Sequence, residues 1–283
     1  MTGSAGDKKN GLSDSADTII REDKGPIRVI SLNRPDRLNA LDPSSIALLR
    51  RHLIDFRDSE DARVCIITGT GNRAFCVGAD LRETLPPSTS FASAVFAADE
   101  ESISAGNYIR GLDLDRLNIG KPLIAAINGY AVGGGMELAL ACDIRIAAES
   151  AQFGLTEVKM GSIPAVGGIQ RLIRSVPHSI ANTMILTGDL VDAATAGRIG
   201  LVSEVLAEND LMKRAIELAG RIASNAPLAV KAARLLATQG AEMAIQQALV
   251  LEQFVWGVLR DTEDRVEGRR AFAEKRKPVY RGR

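Results

Sequence analysis

The sequence predicts an α/β core with a helical unit appended at its C-terminal end. Two patterns and the chain length carry this. Short β-branched runs alternate with stretches of helical periodicity over the first two-thirds of the chain, as strands packed with helices require. From about Leu211 onward only helical periodicity remains. A length of 283 residues is enough for a full core plus a smaller unit.

Met1 to Asp17 is rich in Gly, Ser, Asp and Lys, lacks the apolar stretch of a signal peptide, and reads as a disordered tail. Ile27–Leu32 alternates and is β-branched, hence a strand. Asp42-Pro43 suits a helix start, because Asp caps and Pro fits the first turn. The helix from about Ser44 to Arg57 sets Ile46, Leu49, Leu53 and Phe56 on one face. His52, beside Arg50 and Arg51, reads as part of a solvated face. Val64–Thr68 reads as a buried strand closed by Gly69-Thr70-Gly71-Asn72. Between Leu85 and Gly120, Pro86–Ser90 is loop-like and Phe91–Leu117 reads as one or two exposed helices. Leu123–Ile127 is another buried strand, Met136–Cys142 a helix apolar nearly all round, and Ile144–Ala147 a short strand. The last helices are expected over Ala241–Arg260 and Thr262–Lys275, with apolar faces suited to a second subunit.

Composition narrows the function classes. Hydrophobic residues make up 46% and charged residues 25%, and the formal net charge is zero. A zero balance disfavours nucleic acid or an acidic membrane surface as the main partner. Three cysteines, Cys65, Cys76 and Cys142, match no zinc or redox spacing and read as reduced thiols in a cytoplasmic setting. No apolar stretch is long enough to cross a bilayer.

Most motif readings fail on context. Gly69-Thr70-Gly71-Asn72-Arg73-Ala74 follows a strand, but no helix pattern opens there and Thr89 stands where a dinucleotide site needs an acid. The triple glycine Gly133–Gly135 lacks the Lys-Ser/Thr ending of a phosphate loop. The two histidines, His52 and His178, give Cys76 no convincing partner, and no cluster has metal-ligand spacing. Glu137 and Glu157 remain. Glu137 lies inside an apolar helix that opens on glycines, where free N–H groups and a positive dipole end can meet an oxyanion. Glu157 follows Phe153-Gly154-Leu155-Thr156, and its plain alternative is a loop glutamate paired with Lys159. Ionisable groups in such surroundings suggest acid/base chemistry.

Six ordered segments resemble the enoyl-CoA hydratase/isomerase (crotonase) family. They are Leu32-Asn33-Arg34-Pro35 with Leu38–Leu41, Ala74–Leu81, Lys121–Asp143, Ala151–Glu157, Gly161–Gly168 and Ala271–Arg276, and the likeness runs from about Thr18 to the C-terminal end. The resemblance implies a spiral core of ββα turns over residues 18–206, a C-terminal helical oligomerisation domain over 207–283, and homotrimers or homohexamers. It implies an oxyanion hole from the N–H groups of Ala79 and Gly134 and catalytic carboxylates at Glu137 and Glu157, 20 residues apart. Coenzyme A, part of the acyl-CoA substrate rather than a separate cofactor, would lie along Arg37, Leu38 and Ala40 and along Cys76, Gly78, Asp80 and Leu81. Val132, Gly133 and Thr156 would line the substrate, Arg82 would contact phosphate, and Lys275 would reach in from a neighbouring subunit.

In this likeness Glu137 orients water for attack at Cβ, and a protonated Glu157 delivers a proton to Cα. The expected reaction is hydration of trans-2-enoyl-CoA to 3-hydroxyacyl-CoA, as in fatty-acid β-oxidation. Isomerases of the family usually keep one dominant carboxylate at the Glu157 position, so the pair favours hydration. Members that bind RNA use a lysine-rich first helix; here Asp55, Asp58, Glu60 and Asp61 offset Arg50, Arg51 and Arg57. A non-catalytic acyl-CoA binder is the other alternative, and the intact glutamates argue against it.

Overall fold

The computed structural model describes residues 17–82 and 108–283; the expected tail up to residue 16 and the expected Pro86–Ser90 loop lie outside them. The strands are β1 (Ile19–Lys24), β2 (Ile27–Leu32), β3 (Val64–Gly69), β4 (Ala74–Cys76), β5 (Leu123–Ile127), β6 (Tyr130–Val132), β7 (Ile144–Ala148), β8 (Gln152–Gly154), β9 (Val191–Asp192) and β10 (Glu204–Leu206). The helices are α1 (Pro43–Asp58), α2 (Gly134–Leu140), α3 (Gly168–Ser175), α4 (His178–Thr187), α5 (Ala193–Arg198), α6 (Glu208–Ala223), α7 (Pro227–Gln239), α8 (Ile245–Arg260) and α9 (Glu263–Ala273).

Two sheets form the core. One has the order β1-β2-β3-β5-β7-β10, the other β4-β6-β8-β9. In the first, β1 runs antiparallel to β2 and the remaining neighbours are parallel. The consecutive pairs β3–β4, β5–β6 and β7–β8 each give one strand to each sheet, so the chain climbs as a spiral. Both faces of the large sheet are covered at its centre, which is why β3 and β5 read as buried, nearly all-apolar runs. Ile30, Leu32, Cys65, Ile67, Ala125 and Ile127 face the main core with Ile46, Leu49, Leu53 and Phe56 of α1. Val29, Val64, Ile66, Ile124 and Ile146 face α6, which meets them with Leu211, Ala215, Ala219 and Ala223. That i, i+4 stripe of mostly alanine lets α6 sit close to the sheet.

α1 starts as its sequence demands. Asp42 accepts a 2.7 Å hydrogen bond from the Ser45 N–H, and Pro43 fills the first position. Two expectations are corrected next to it. The described part of Phe91–Leu117 is two short 3-10 turns, Tyr108–Leu112 and Leu114–Leu117, with Leu112, Leu114 and Leu117 buried rather than exposed. His52 and Arg50 are not on an open solvated face: Arg50 donates to the Gly111 carbonyl at 3.1 Å, and the His52 Nδ1 is buried with no partner. The turn meets α1 on the Arg50 side, whereas His52 lies near Arg21 and Arg28 of β1 and β2, and the sequence spacing of α1 alone could show neither.

Candidate active site

The strand ends of the spiral carry the candidate residues. After β6, Gly133 takes φ +54°, a left-handed conformation that costs a glycine little. The next residue opens α2, whose first turn has no side-chain cap, so the Gly134 N–H has no protein acceptor among the described residues. Gly135 is required by crowding: a Cβ there would lie 2.0 Å from the Cys76 carbonyl oxygen. α2 therefore starts directly against the segment after β4.

That segment supplies the second N–H. Leu41 and Ala79 form an isolated parallel bridge in which Leu41 donates to the Gly78 carbonyl (2.8 Å) and Asp80 to the Leu41 carbonyl (2.9 Å). The Ala79 N–H between them points away from Leu41. Gly78 brings this backbone up to α2, since a Cβ on it would lie 2.7 Å from the Gly134 nitrogen. Across from both, the side chains of Ile109 and Leu112 lie 3.2 Å from where a Cβ of Gly134 would stand, an apolar wall.

Glu137 sits one turn into α2 and is 2% exposed. Its Oε1 accepts N–H bonds from Val166 (2.8 Å) and Gly168 (2.9 Å). Burial raises its pKa, and the N–H groups of Gly168, Val166 and Ala165 oppose the rise. Glu157 opens the 3-10 turn Glu157–Met160 after β8. Its Oε1 lies 3.3 Å from where a Cβ of Gly133 would stand, and its Oε2 is buried with no hydrogen-bond partner among the described residues. Burial raises this pKa too, and the charge of Glu137 adds to the rise. The pairing of Glu157 with Lys159 that sequence allowed does not form; Lys159 binds Asp189 at 2.8 Å instead. Two carboxylates, both displaced upward and close enough for the charge of Glu137 to raise Glu157, thus stand with the N–H groups of Ala79 and Gly134, which have no protein acceptor among the described residues.

The enoyl-CoA hydratase/isomerase family matches this chain over residues 22–283. The chain belongs to that family. It is 44% identical over 264 residues to the (E)-benzylidenesuccinyl-CoA hydratase of Thauera aromatica, covering 93% of this chain and 99% of that one. It is 40% identical over 258 residues to the 2,3-dehydroadipyl-CoA hydratase of Escherichia coli, covering 91% and 96%. Among solved structures, the enoyl-CoA hydratase from Bacillus anthracis superposes with a TM-score of 0.84 at 38% identity, covering 94% of this chain and 100% of that one. The fold is the crotonase spiral, and the enzyme is a lyase of the hydro-lyase type.

The other residues expected to meet acyl-CoA fall into two groups in this family member. Arg37, Leu81 and Arg82 are exposed along one rim, with Leu38 left-handed at φ 52° and Ala40 buried beside them. Val132, Gly133 and Thr156 line the β6 and β8 ends next to Glu157. Two side chains are turned to structural duties. Asp80 is held by Arg34 at 3.0 Å, and its other oxygen takes the Arg82 N–H at 3.3 Å. Cys76 is fully buried, its thiol is pushed up to about 12 by that burial, and its Sγ accepts the Gly78 N–H at 3.3 Å. Lys275 is exposed at φ 53° past α9, with no hydrogen bond or ion pair to either rim segment among the described residues. No group of three or more His, Cys, Asp or Glu side chains is placed to hold a metal among the described residues.

Sequence reasoning missed the supports. Asn39, left-handed at φ 55°, accepts from the Arg34 N–H (2.9 Å) and donates to the Thr70 (3.0 Å) and Ala74 (2.7 Å) carbonyls, fixing the Arg37–Leu41 loop. Arg171 donates to the Val166 carbonyl at 2.6 Å and to Asp115 at 2.7 Å, pinning the loop whose N–H groups hold Glu137. Its only sequence signal was a cation one turn beyond Gly167-Gly168.

Proposed function

We propose that this hydro-lyase adds water across the double bond of trans-2-enoyl-CoA thioesters to give 3-hydroxyacyl-CoA. The observation that carries the reading is the unequal pair of glutamates, Glu137 buried and Glu157 half-buried, beside two N–H groups without a protein acceptor among the described residues. Attack of water at Cβ moves negative charge onto the thioester oxygen. Donors fixed at Ala79 and Gly134 meet that charge without reorganising, and each is worth roughly 3 kcal/mol of barrier. Glu137 has N–H partners that favour its charged form, which suits a base holding water. The Glu157 Oε2 has none and feels the charge of Glu137, which suits a protonated acid aimed at Cα. Water and proton add to adjacent carbons, and the enzyme ends with the proton moved from Glu157 to Glu137.

The named relatives share the coenzyme A thioester and differ in the acyl group, so the proposal rests on the thioester chemistry. Apolar side chains left exposed on α8 support self-association as trimers or hexamers. A cytoplasmic place in β-oxidation goes with this reading, supported by three free, buried thiols. The test is a series of trans-2-enoyl-CoA substrates of increasing chain length, followed by loss of the conjugated thioester absorbance. Folded protein that turns over none of them overturns the proposal.

A further inference from the structure

A cavity of about 490 Å³ lies at the opposite ends of the strands from Glu137. β3 and β5 begin there, α1 and α6 end there, α7 begins there, and residues 281–283 fold across it. Six of its lining side chains are cationic and two, Asp58 and Glu60, are acidic. Arg57 is neutralised by Asp58 at 2.7 Å and Arg283 by Glu263 at 2.9 Å. Arg63, Lys121, Lys231 and Arg281 have no carboxylate within ion-pair distance among the described residues.

The walls are built rather than frayed. Asp264, 3% exposed, accepts the Arg281 N–H at 2.7 Å and the Gly282 N–H at 2.8 Å, which locks the crossing segment. Arg63 donates to the Ala223 (3.1 Å) and Tyr280 (3.0 Å) carbonyls and so joins α6 to that segment. Lys121, 4% exposed, forms the floor and gives its ammonium to the Phe56 (2.7 Å), Ser59 (2.5 Å) and Ala62 (2.9 Å) carbonyls. Carbonyls satisfy these donors but leave their charge uncancelled. Lys231 and Arg281 are exposed at the mouth, with donors free to meet a ligand. α7 begins at Pro227 with no side-chain cap and no acid in its first turn, so the Leu228 N–H adds an unused donor. Ile222, Leu228 and Val230 make the remaining side apolar.

We propose that this cavity binds a small phosphate-bearing anion of nucleotide size. Four cations without an ion pair among the described residues, of which Lys231 and Arg281 have free donors, and a helix start favour phosphate, which takes several N–H donors at once. The volume falls within the usual range of about 300–1,000 Å³ for small-molecule sites, and the apolar side gives a flat organic body somewhere to rest. Burial and the neighbouring Lys231 already push the Lys121 ammonium down to about 8, and a bound anion would relieve that repulsion.

The experiment is calorimetric titration of the full chain with inorganic pyrophosphate and, separately, with UDP, in the presence of saturating coenzyme A to occupy the thioester site. Saturable one-to-one binding is expected, tighter for UDP, weakened by added salt, and weakened at least tenfold by Lys231→Glu and by Arg281→Glu. Both residues are exposed, so the thermal midpoint and enoyl-CoA hydration should stay unchanged in these variants. Absence of saturable binding, or binding that both variants retain, overturns the proposal. UDP binding no tighter than pyrophosphate overturns the assignment of nucleotide size. Hydration failing while UDP binds would sink the thioester reading and leave this one standing.

Discussion

Glu137 is buried, Glu157 is half-buried, and the two differ in their donors. Glu137 has two N–H groups within 2.9 Å, whereas the Glu157 Oε2 has no partner. Glu157→Gln keeps the shape and removes the transferable proton. It should lower kcat roughly 100-fold or more, the usual worth of a positioned acid, while coenzyme A binding by calorimetry stays near wild type. The pKa of Glu157 is raised, so its proton is held to higher pH than in an ordinary glutamate and is lost as pH rises through the raised value. Turnover should therefore fall on the alkaline side. The same sign applies to stability: the buried charge appears as pH rises, so Glu157→Gln should be more stable than wild type above that pKa, read by thermal unfolding. Arg171 acts one step away. Arg171→Met frees the Val166 carbonyl and slackens the loop that aims Glu137, so kcat should drop about 10- to 100-fold with KM nearly unchanged. Asp115→Asn should cost much less, because the Asp115 side chain is 82% exposed and its ion pair with Arg171 is screened.

Elements are joined by polar side chains that reach main-chain carbonyls. Lys121, just before β5, closes the C-terminal end of α1 through three of them. A cation at a helix C-terminus is favourable, and removing it strands buried acceptors. Lys121→Met should destabilise the fold by roughly 2–4 kcal/mol, measured as a lower denaturant midpoint with an unchanged slope. Such supports explain which parts of the chain were legible. β3 and β5 could be read because strands buried on both faces are nearly all apolar, β2 because its β-branched residues alternate, and α1 because Asp42-Pro43 announces it. Glu137 could be read because it interrupts an apolar helix. The strands β4, β6 and β8 have only three residues each, too few to show alternation. The partners of Lys121, Asn39 and Arg171 are mostly carbonyl oxygens, which every residue type carries, so no residue pattern marks them. The turn that holds Arg50 comes from a segment more than 50 residues away in sequence, and periodicity within α1 is blind to it.

The whole molecule leaves an apolar surface that one chain does not cover. Along α8, Val250, Phe254 and Val258 are 53%, 73% and 75% exposed at i, i+4 spacing, forming one stripe. A second patch lies near the candidate site, where Met160 and Ile163 follow Glu157 and are each 64% exposed, with Leu186 at 74%. Contiguous apolar surface of this kind marks an interaction site. Two different patches on one chain suit a head-to-tail contact, which closes into a ring when the rotation allows. The expected state is a homotrimer or a pair of trimers, read as mass by light scattering at micromolar concentration. Phe254→Glu with Val258→Glu places charges in that stripe and should shift the mass toward the monomer without unfolding α8, because both side chains already face solvent within one chain. If the patch beside Glu157 is covered by the same association, the dissociated variant should also lose turnover more than coenzyme A binding. A wild-type monomer at this concentration, or a double variant with unchanged mass, would rule out the α8 stripe as the contact.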